Sequence, residues 1–578
     1  MKYNNIKLSL ILCLLLGFTF ACTEEFLEED VRGKLSSEGF PSNVDQLGEA
    51  MHGLYNAASD ISRQIAIITR NCGTEQLTSL LPPKNKYFQA YCDNYTMHLE
   101  QATAGEPRDM TIWRGCYVAI KQANWLLEKV SNADVPDTKI HDLAYGQAYF
   151  IRALSYFYLT RFFGEVPIVT STDINQKITE LGSVKDIYEL ILSDLDNAMQ
   201  MLPEFAWDEA NIGPAARSMP GVWSNNRAIP TQGTARALRS QVYITMAGWP
   251  LNETALYQEA AADAKYIIDN KDAFGYDLEP DFMDLWLYEK QFNLKENIFS
   301  IYYHGDGKDQ FLSPQATRPA NEPGEPYNGW NDVMVERPYF FSYPKSYRKE
   351  ISFTTAWYTH RKSEPEHWKQ WYETGYLHPY LAKYRSTKVF PFDSLWVDNT
   401  DPVNSERSVI LLRYANVLFN YAEASTRATN SVSADALEAV NQIRRRAHNN
   451  PNNTRYPIEI VDIYSPNARY DLPQGLSADQ FLDSLLQEKN YEFTGEPEGR
   501  WHDLVRLDMV YDIAQMVKTQ RANTQSDDKS GDQSLPTSNY LDPLVPNLKD
   551  VDITTDRKLL HWYFPPLSEI QNNPDLFK

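Results

Sequence analysis

Aromatic rings beside amide groups are the residues of this sequence whose types and spacing suit the recognition of a sugar. Sugar rings present apolar C–H faces that stack on Trp and Tyr, while amide and carboxylate groups bond the hydroxyls. Two stretches have this composition, KYFQAYCDNY at residues 86–95 and EPYNGWND at residues 325–332. Their candidate side chains are Tyr87, Tyr91, Asn94 and Tyr95 in the first stretch and Tyr327, Trp330 and Asn331 in the second.

Within this set, Trp330, Tyr327 and Asn331 are the leading candidates for ligand contact, the group at 86–95 comes next, and Trp286 follows. Packing is the alternative for every one of these rings, because aromatic side chains also fill protein interiors. Other aromatic residues recur at helical spacing and are expected to pack between helices: Trp113, Trp125, Tyr156, Tyr158 and Trp501.

Hydrolase signatures are missing from the sequence. It contains no HExxH, no GxSxG and no phosphate loop, and its 10 His form no pair at metal-ligand spacing. Glu496 and Glu498 could form a glycosidase couple. They flank a proline, however, and a solvated or salt-bridged role is favoured. The run DDKSGD at 527–532 lacks the twelfth-position Glu of a calcium loop, so no cofactor is predicted and a structural calcium ion stays an open alternative.

The first 21 residues have the layout of a secretory signal peptide. Lys2 and Lys7 precede an apolar run over 8–16, and small or apolar residues continue to Ala21. This run is too short to cross ~30 Å of hydrocarbon. Cys22 follows at once and resembles the acylated acceptor of bacterial lipoproteins, so we expect a lipid there. Cleavage by an ordinary signal peptidase, with an unmodified cysteine, is the alternative.

Charge and composition limit the partners of the remaining chain. The net charge of −22 argues against nucleic acid and anionic lipid, and the mean hydropathy of −0.50 fits a water-soluble body. Cys72, Cys92 and Cys116 are odd in number and form no CxxC, which indicates neither a disulfide framework nor a zinc site. A single bridge from Cys72 to Cys92 and three free thiols stay open as alternatives.

Helical periodicity recurs in pairs along the chain. The predicted pairs are 44–62 with 112–130, 141–163 with 183–202, 231–247 with 253–270, and 411–427 with 433–447. Small residues such as Ala422 and Ala436 allow close approach, which resembles tetratricopeptide-type units. Each pair leaves one apolar face that only a neighbour can cover, so a solenoid of about four units is expected. Five arginines are expected to tie helices together through carboxylates: Arg152, Arg161, Arg444, Arg445 and Arg446.

These patterns divide the chain into four regions. A signal peptide at 1–21 precedes a helical repeat region at 22–271. Residues 272–406 are rich in Pro, Gly, Asn and aromatics, and they are predicted to form a loop-rich irregular lobe inserted before the last pair. Residues 407–578 carry the last pair and the C-terminal segments, with a polar, acidic and mobile loop expected at 520–550. The predicted fold class is therefore all-α.

Six ordered segments of the sequence resemble the SusD/RagB family of outer-membrane nutrient-binding lipoproteins. They are the helix with Trp113, Tyr117, Ile120, Asn124 and Leu127; AYFIRALSYFYLTRFFGEVPIV at 148–169; DLDNAMQMLP at 194–203; LLRYANVLFNYAEA at 411–424 with ALEAVNQIRRRA at 436–447; QEKNYEFTGEPEGRWHDLVR at 487–506; and FPPLSEIQNNPDLF at 564–577. The chain departs from the family pattern at Lys489, where Arg is usual, in a longer 495–499 turn, and at its Lys578 ending.

The resemblance implies a surface-exposed lipoprotein of the outer membrane that sits as a lid on a SusC-type TonB-dependent transporter. Such a protein hands oligosaccharides to the transporter and is not an enzyme. A peptide-binding uptake protein of the RagB type is the first alternative. A surface glycosidase within the inserted lobe is a second alternative, and a pure repeat scaffold that recruits other proteins is a third.

Overall fold

The structure is a computed structural model that describes residues 39–62, 70–78, 110–135, 138–173, 178–205, 229–303, 333–359, 367–371, 378–384, 407–451, 459–526, 561–563 and 565–577. Among these residues, no helix combines the length and the apolar character that crossing a membrane requires. The longer helices of the first three pairs are α1 (Val44–Ser62), α2 (Met110–Lys129), α3 (Thr138–Phe163), α4 (Val184–Met201), α5 (Gln232–Met246) and α6 (Leu256–Asp269).

The chain from residue 271 onward holds several short helices, some longer ones and most of a set of short strands. Its helices are α7 (Lys271–Phe274), α8 (Arg337–Ser342), α9 (Tyr347–Ser352), α10 (Tyr414–Thr429), α11 (Ala434–Arg446), α12 (Ala478–Glu492), α13 (Arg500–Arg506), α14 (Val510–Ser526) and α15 (Leu567–Asn572). The strands of the whole chain are β1 (Leu77–Thr78), β2 (Asn297–Ile301), β3 (Met334–Val335), β4 (Phe353–Thr354), β5 (Ala356–Thr359), β6 (His367–Gln370), β7 (Tyr380–Leu381) and β8 (Val409–Arg413).

Four helix pairs stack in the order of the sequence. The pairs are α1 with α2, α3 with α4, α5 with α6, and α10 with α11. Successive pairs meet through α2 against α3, α4 against α5, and α6 against α10, so each pair covers the apolar face of the next. The predicted all-α, tetratricopeptide-like stack, with an irregular lobe before its last pair, is therefore confirmed.

The helix starts follow from capping chemistry that the sequence shows. Ser183 precedes α4, and its hydroxyl accepts a hydrogen bond from the Asp186 N–H at 3.1 Å. Ser433 precedes α11 and accepts from the Ala436 N–H at 3.0 Å. Both serines satisfy a backbone donor that the first turn of a helix leaves unpaired.

One predicted helix boundary is wrong. The fourth pair was expected to begin at residue 411, but 409–413 form β8 and α10 begins at Tyr414. The run VILLR is a continuous apolar segment, and it pairs antiparallel with β2 from Asn297↔Arg413 to Ile301↔Val409. The Asn416 side chain then accepts from the Arg413 N–H at 2.9 Å, which fixes the turn from strand to helix.

From Phe150 to its end, the central helix α3 is buried on all sides rather than on the one face that its apolar spacing predicts. It packs against α2 and α4, and the C-terminal segment covers its last turn. Polar side chains on the remaining face are therefore buried as well, including Gln147, Arg152 and Arg161. Such groups need internal partners, because a buried polar group without one is destabilising.

The inserted lobe shares the core of the helical stack. Phe299, Phe353 and Leu381 belong to the same cluster of buried side chains as the helix pairs. A small second cluster, centred on Phe282 and Ile351, fills the interior of the lobe. The strands of the lobe pair as β4 with β7 and β5 with β6, both antiparallel.

The C-terminal region returns to the first half of the chain. The Tyr563 N–H donates to the Phe162 carbonyl at 2.7 Å, and the Phe577 ring lies 6.5 Å from that of Trp113. Helix α14 continues to Ser526, so the first seven residues of the loop predicted at 520–550 are helical. The rest of that loop, with the DDKSGD run, lies outside the described residues.

Candidate binding site

Seven of the predicted ligand-contact residues lie outside the described residues. They are Tyr87, Tyr91, Asn94, Tyr95, Tyr327, Trp330 and Asn331, which belong to the segments 79–109 and 304–332. The structure does describe the residues at which these two segments begin and end. Those anchoring residues show which segments start from the same place in the fold.

Both segments are anchored on one pair of strands. Thr78, the last described residue before 79–109, pairs with Met334, which follows 304–332 after a single intervening residue. The neighbouring pair is Leu77 with Val335, and the two strands run antiparallel. One end of each aromatic segment is therefore held at the β1–β3 pair.

A third segment meets the same strands. The Val335 N–H donates to the Pro379 carbonyl at 2.9 Å, and the His378 Nδ1 lies 2.9 Å from the Val335 carbonyl oxygen. These two residues directly follow segment 372–377 and lead into β7. We call β1, β3 and residues 378–381 the anchor strands. Three segments outside the described residues thus have an end on the anchor strands.

The other end of segment 304–332 is fixed to the first helix pair. The Tyr303 hydroxyl lies 2.9 Å from Ser62 Oγ and donates to the Ser59 carbonyl at 2.8 Å. Ser62 is the last residue of α1 and precedes segment 63–69. All of these groups are buried, so the helical stack fixes where segment 304–332 begins.

Trp286 is a core residue and presents no open face for a sugar. Its side chain is only 4% exposed and packs within the cluster centred on Phe282 and Ile351. Edge contacts to the Phe282 and Tyr384 rings surround it, with centroids 5.9 and 6.3 Å away. The Lys383 ammonium lies 5.0 Å from the ring centroid. The burial and contacts of Trp286 therefore fit the alternative that this ring packs in the protein interior.

A buried polar network joins the anchor strands to the C-terminal block at 487–506. Gln76 Nε2 donates to Asn490 Oδ1 at 2.7 Å, and the Gly495 N–H donates to Gln76 Oε1 at 3.3 Å. Asn490 Nδ2 and Arg500 Nε both donate to Glu75 Oε1 at 2.9 Å. β1 is therefore held by side chains of distant sequence as well as by its partner strand.

The C-terminal block also takes part in a buried ion network centred on Arg413, at the end of β8. Its guanidinium bonds Glu296 at 2.6 Å, Glu492 at 2.7 Å and Glu496 at 2.9 Å. Arg446 bridges Glu296 and Glu492 from α11. Burial alone raises the pKa of Glu492, but the guanidiniums of Arg446, Arg413 and Arg348 together hold it well below its usual range.

The same network binds the inserted lobe. Arg348 of α9 bonds Glu488 and Glu492 of α12, each at 2.6 Å. Lys383 donates to Glu496 at 2.6 Å. Burial lowers the pKa of Lys383 to about 8, although the Glu496 carboxylate opposes that shift. Because these charges are buried and paired, they fix the lobe to the last helix pair and to α12.

Glu496 and Glu498 act in these ion pairs, as the salt-bridged interpretation of the sequence predicted. Glu498 accepts from Arg161 through both carboxylate oxygens, at 2.7 and 2.8 Å, and from the Tyr158 hydroxyl at 3.1 Å. Both glutamates are buried, so the solvated alternative is wrong.

The remaining arginines bond carboxylates as predicted, but Arg445 ties no second helix, because Glu438 lies on its own helix and Asp471 lies outside the helices. Their carboxylate partners are Asp194 for Arg152, Glu488 for Arg444, and both Glu438 and Asp471 for Arg445. Lys489, the departure from the family pattern, bonds Asp503 at 2.8 Å in a buried pair. The aromatic residues expected between helices are buried or half-buried there: Trp113, Trp125, Tyr156, Tyr158 and Trp501.

Two buried cysteines and a small cleft at the end of α3 lie in the part of the chain that the structure describes. Cys72 and Cys116 are buried, and burial raises the pKa of the Cys116 thiol. Cys92 lies outside the described residues. The cleft holds about 20 Å³ between Arg161 and Trp249, which is space for little more than one water. Within the described ranges, no three His, Cys, Asp or Glu side chains are grouped to hold a metal ion.

A stack of helix pairs that carries irregular segments on a small set of strands defines a helical-repeat protein of the tetratricopeptide-like class. Residues 25–214 match a family model described as starch-binding and associating with the outer membrane, and residues 295–578 match the SusD family model. SusD-like protein P2 of Formosa agariphila is 27% identical over 541 residues, which cover 89% of this chain and 92% of the relative. The chain belongs to the SusD/RagB family.

Solved structures show the same fold. A SusD homolog from Bacteroides thetaiotaomicron superposes with a TM-score of 0.68 at 21% identity, covering 85% of this chain and 92% of that chain. A laminarin-binding SusD-like protein superposes with a TM-score of 0.59 at 18% identity, covering 82% and 94%. At these identities the likeness shows a shared fold and does not identify a ligand.

Proposed function

We propose that this protein captures glycan at the cell surface and passes it to a SusC-type TonB-dependent transporter of the outer membrane. The observation that carries the proposal is the β1–β3 pair, which anchors both aromatic segments at one place. The starch-binding description of the family model and the laminarin-binding relative support a sugar as the ligand. Cys22 is the proposed lipid attachment residue.

Chain length limits how far the leading candidates reach from the anchor strands. Four residues separate Trp330 from Met334, and four residues span at most about 14 Å. Tyr87 is nine residues from Thr78, so its reach is about 30 Å. Because Thr78 and Met334 are paired, both groups of rings are within reach of one sugar chain.

An exposed aromatic platform gives weak to moderate affinity. Each aromatic contact contributes about 0.5–1.5 kcal/mol beyond its buried area, so a few rings and amides give binding in the micromolar to millimolar range. The side chains proposed to contact the glycan are Trp330, Tyr327 and Asn331 first, and Tyr87, Tyr91, Asn94 and Tyr95 second.

Calorimetry of the purified protein tests this proposal. We expect heat from laminari- or malto-oligosaccharides and a roughly tenfold weaker affinity for Trp330→Ala, because about 1.4 kcal/mol corresponds to tenfold. Tyr464→Ala is the control, since Tyr464 is an aromatic residue with 47% exposure outside both segments. Silence from every sugar with heat from mixed peptides contradicts glycan capture and supports the peptide alternative.

The proposed role is binding without catalysis. The only acid pair considered for glycosidase chemistry, Glu496 and Glu498, is engaged by Lys383, Arg413 and Arg161. Incubation with polysaccharide is therefore expected to release no new reducing ends. Turnover that one carboxylate substitution abolishes contradicts this part of the proposal.

A further inference from the structure

The β1–β3 pair is too short to fix its own position. Each strand has two residues, so the ladder consists of Leu77↔Val335 and Thr78↔Met334 alone. Isolated two-stranded ladders are marginal in water even when they are longer than this. Other contacts must therefore hold the anchor strands in place against the helical stack.

Segment 70–78 is attached to the C-terminal block at three buried points. Asn71 Oδ1 accepts from the Trp501 N–H at 3.1 Å, and its Nδ2 donates to the Glu496 carbonyl at 3.4 Å. Glu75 accepts from Arg500, and Gln76 bonds Asn490 through two hydrogen bonds. The chain therefore reaches β1 along a path that side chains of another region define.

β3 depends on the same residues. The Glu336 N–H, directly after β3, donates to the Gln76 carbonyl at 2.9 Å. One turn later, the Tyr339 hydroxyl donates to the Asn490 carbonyl at 3.0 Å and lies 2.6 Å from Thr494 Oγ1. Gln76 and Asn490 are thus the shared contact of both strands, and neither is more than 3% exposed.

The ion network fixes Asn490 in turn. It lies on α12 between Glu488 and Glu492, which bond Arg348 and Arg446. A continuous chain of buried contacts therefore runs from the last helix pair through α12 to the anchor strands. Groups locked in this way hold a binding surface in its productive geometry and lower the ordering cost of binding.

We infer that Gln76, Asn490 and Tyr339 are positioning residues for ligand capture, which set the affinity for glycan by fixing the anchor strands without touching the ligand. The inference rests on the proposed function. It adds that binding strength is determined partly by the C-terminal block, more than 400 residues along the chain from β1.

Gln76→Ala and Gln147→Ala form a matched pair for the test. Gln147 is also a buried glutamine, 1% exposed, and its side chain accepts from the Tyr55 hydroxyl and donates to the Leu143 carbonyl. It lies on α3, away from the anchor strands. Both substitutions remove two buried side-chain hydrogen bonds or more, so both are expected to lower Tm.

Only Gln76→Ala is expected to change binding. We expect its Kd for a laminari- or malto-oligosaccharide to rise about tenfold in calorimetry, while Gln147→Ala keeps the wild-type Kd. In hydrogen–deuterium exchange without ligand, Gln76→Ala is expected to speed exchange in both 70–78 and 333–336, although only the first peptide carries the substitution. Tyr339→Phe keeps the ring, and we expect a smaller rise in Kd of about threefold.

The outcomes are separable. No heat from wild-type protein with any sugar contradicts the proposed function. Heat from the wild type, with the same Kd for Gln76→Ala and Gln147→Ala, overturns the positioning role while the proposed function stands. If Gln76→Ala does not fold, Tyr339→Phe decides, and a wild-type Kd in that variant overturns the inference. Faster exchange in 70–78 without any change in 333–336 overturns it as well.

Discussion

At the scale of single residues, Arg413 shows how this protein keeps charge in its interior. Its guanidinium is 1% exposed and meets three carboxylates, Glu296 from one part of the chain and Glu492 and Glu496 from the C-terminal block. Removing charge from water is costly, and only complete pairing compensates for that cost. A substitution that takes away one partner therefore leaves the remaining buried charges of the network incompletely compensated.

Arg413→Met is expected to lower the free energy of unfolding by about 3–5 kcal/mol, because Glu296, Glu492 and Glu496 then lose a shared cation. Arg469→Met is the control. Arg469 is 73% exposed in its pair with Glu459, and the expected change is below about 1 kcal/mol. Urea unfolding followed by circular dichroism measures both values, and equal losses in the two variants contradict a special role for the buried network.

Acid should unfold the protein through the same groups. Burial raises the pKa of Glu423, but Arg506 and Arg427 outweigh it and lower the pKa from 4.5 to about 2. Between those values the unfolded chain binds more protons than the folded one, so this contribution is complete above about pH 4.5 and is lost as pH falls toward 2. We expect Tm to fall over that range, and Glu423→Gln to start lower at pH 7 but fall less steeply. Parallel curves for the two proteins contradict the assignment.

The types of contact could be predicted at this scale, but the partners could not. Arginines within the predicted helices indicate ion pairing, and the carboxylate partners of Arg152 and Arg161 were found as expected. Nothing in the sequence shows that Arg348, Arg413 and Arg446 share Glu492, because up to 144 residues separate them from it. Trp286 is a packed ring in the structure, and the sequence could not show this because ring type alone does not distinguish a packed ring from an open one.

At the scale of elements, the helix pairs were predictable and the short strands were not. In each pair, apolar residues repeat at helical spacing over many residues, and this identifies the segments as helices. The observed helices lie within a few residues of the predicted ones. β1 and β3 have two residues each, which is below the length at which a pattern can be read. The strand β8 was assigned to a helix because its apolar run continues directly into α10.

Close packing of the first pair depends on Gly115. A Cβ at this position would lie 2.9 Å from the Asp60 carbonyl carbon, a backbone atom that cannot move aside without shifting α1. We expect Gly115→Ala to destabilise the protein by about 1–3 kcal/mol through overpacking. Thermal unfolding monitored by circular dichroism provides the measurement.

Gly53→Ala in the facing helix is the control for that prediction. Its added Cβ would meet only the flexible Gln122 side chain, at 3.3 Å. Alanine in a helix interior is favoured over glycine by roughly 0.5–1 kcal/mol, so this variant should be as stable as the wild type or slightly more stable. A Tm for Gly115→Ala that matches that of Gly53→Ala contradicts the close-approach argument.

At the scale of the whole molecule, the proposed tether begins 17 residues before the described fold. Cys22 precedes Gly39, and 17 residues of extended chain reach at most about 60 Å. The Phe40 ring stacks on Trp125 of α2 with centroids 5.7 Å apart, so the tether joins the body at the first helix pair. A lipid on Cys22 would thus hold the protein to the membrane from the side of its first helix pair.

Cys22→Ala is expected to move the protein from the outer-membrane fraction to the soluble fraction, because the variant lacks the residue proposed to carry the acyl chains. Cys13→Ala is the matched control, since Cys13 lies within the predicted signal peptide and should have no effect. Immunoblots of fractionated cells show in which fraction each variant protein is found. Retention of the Cys22→Ala protein in the membrane contradicts the predicted lipid attachment.

In the proposed function, the helical stack and its anchor strands present two aromatic segments to one sugar chain. Hydrogen–deuterium exchange of the wild-type protein, with and without a saturating oligosaccharide, tests it most directly. We expect the ligand to slow exchange in both 79–109 and 304–332. We expect the exchange rate of peptides of α3, which is buried at the centre of the stack, to stay the same. Protection in only one of these segments, or within the helix pairs instead, would contradict it.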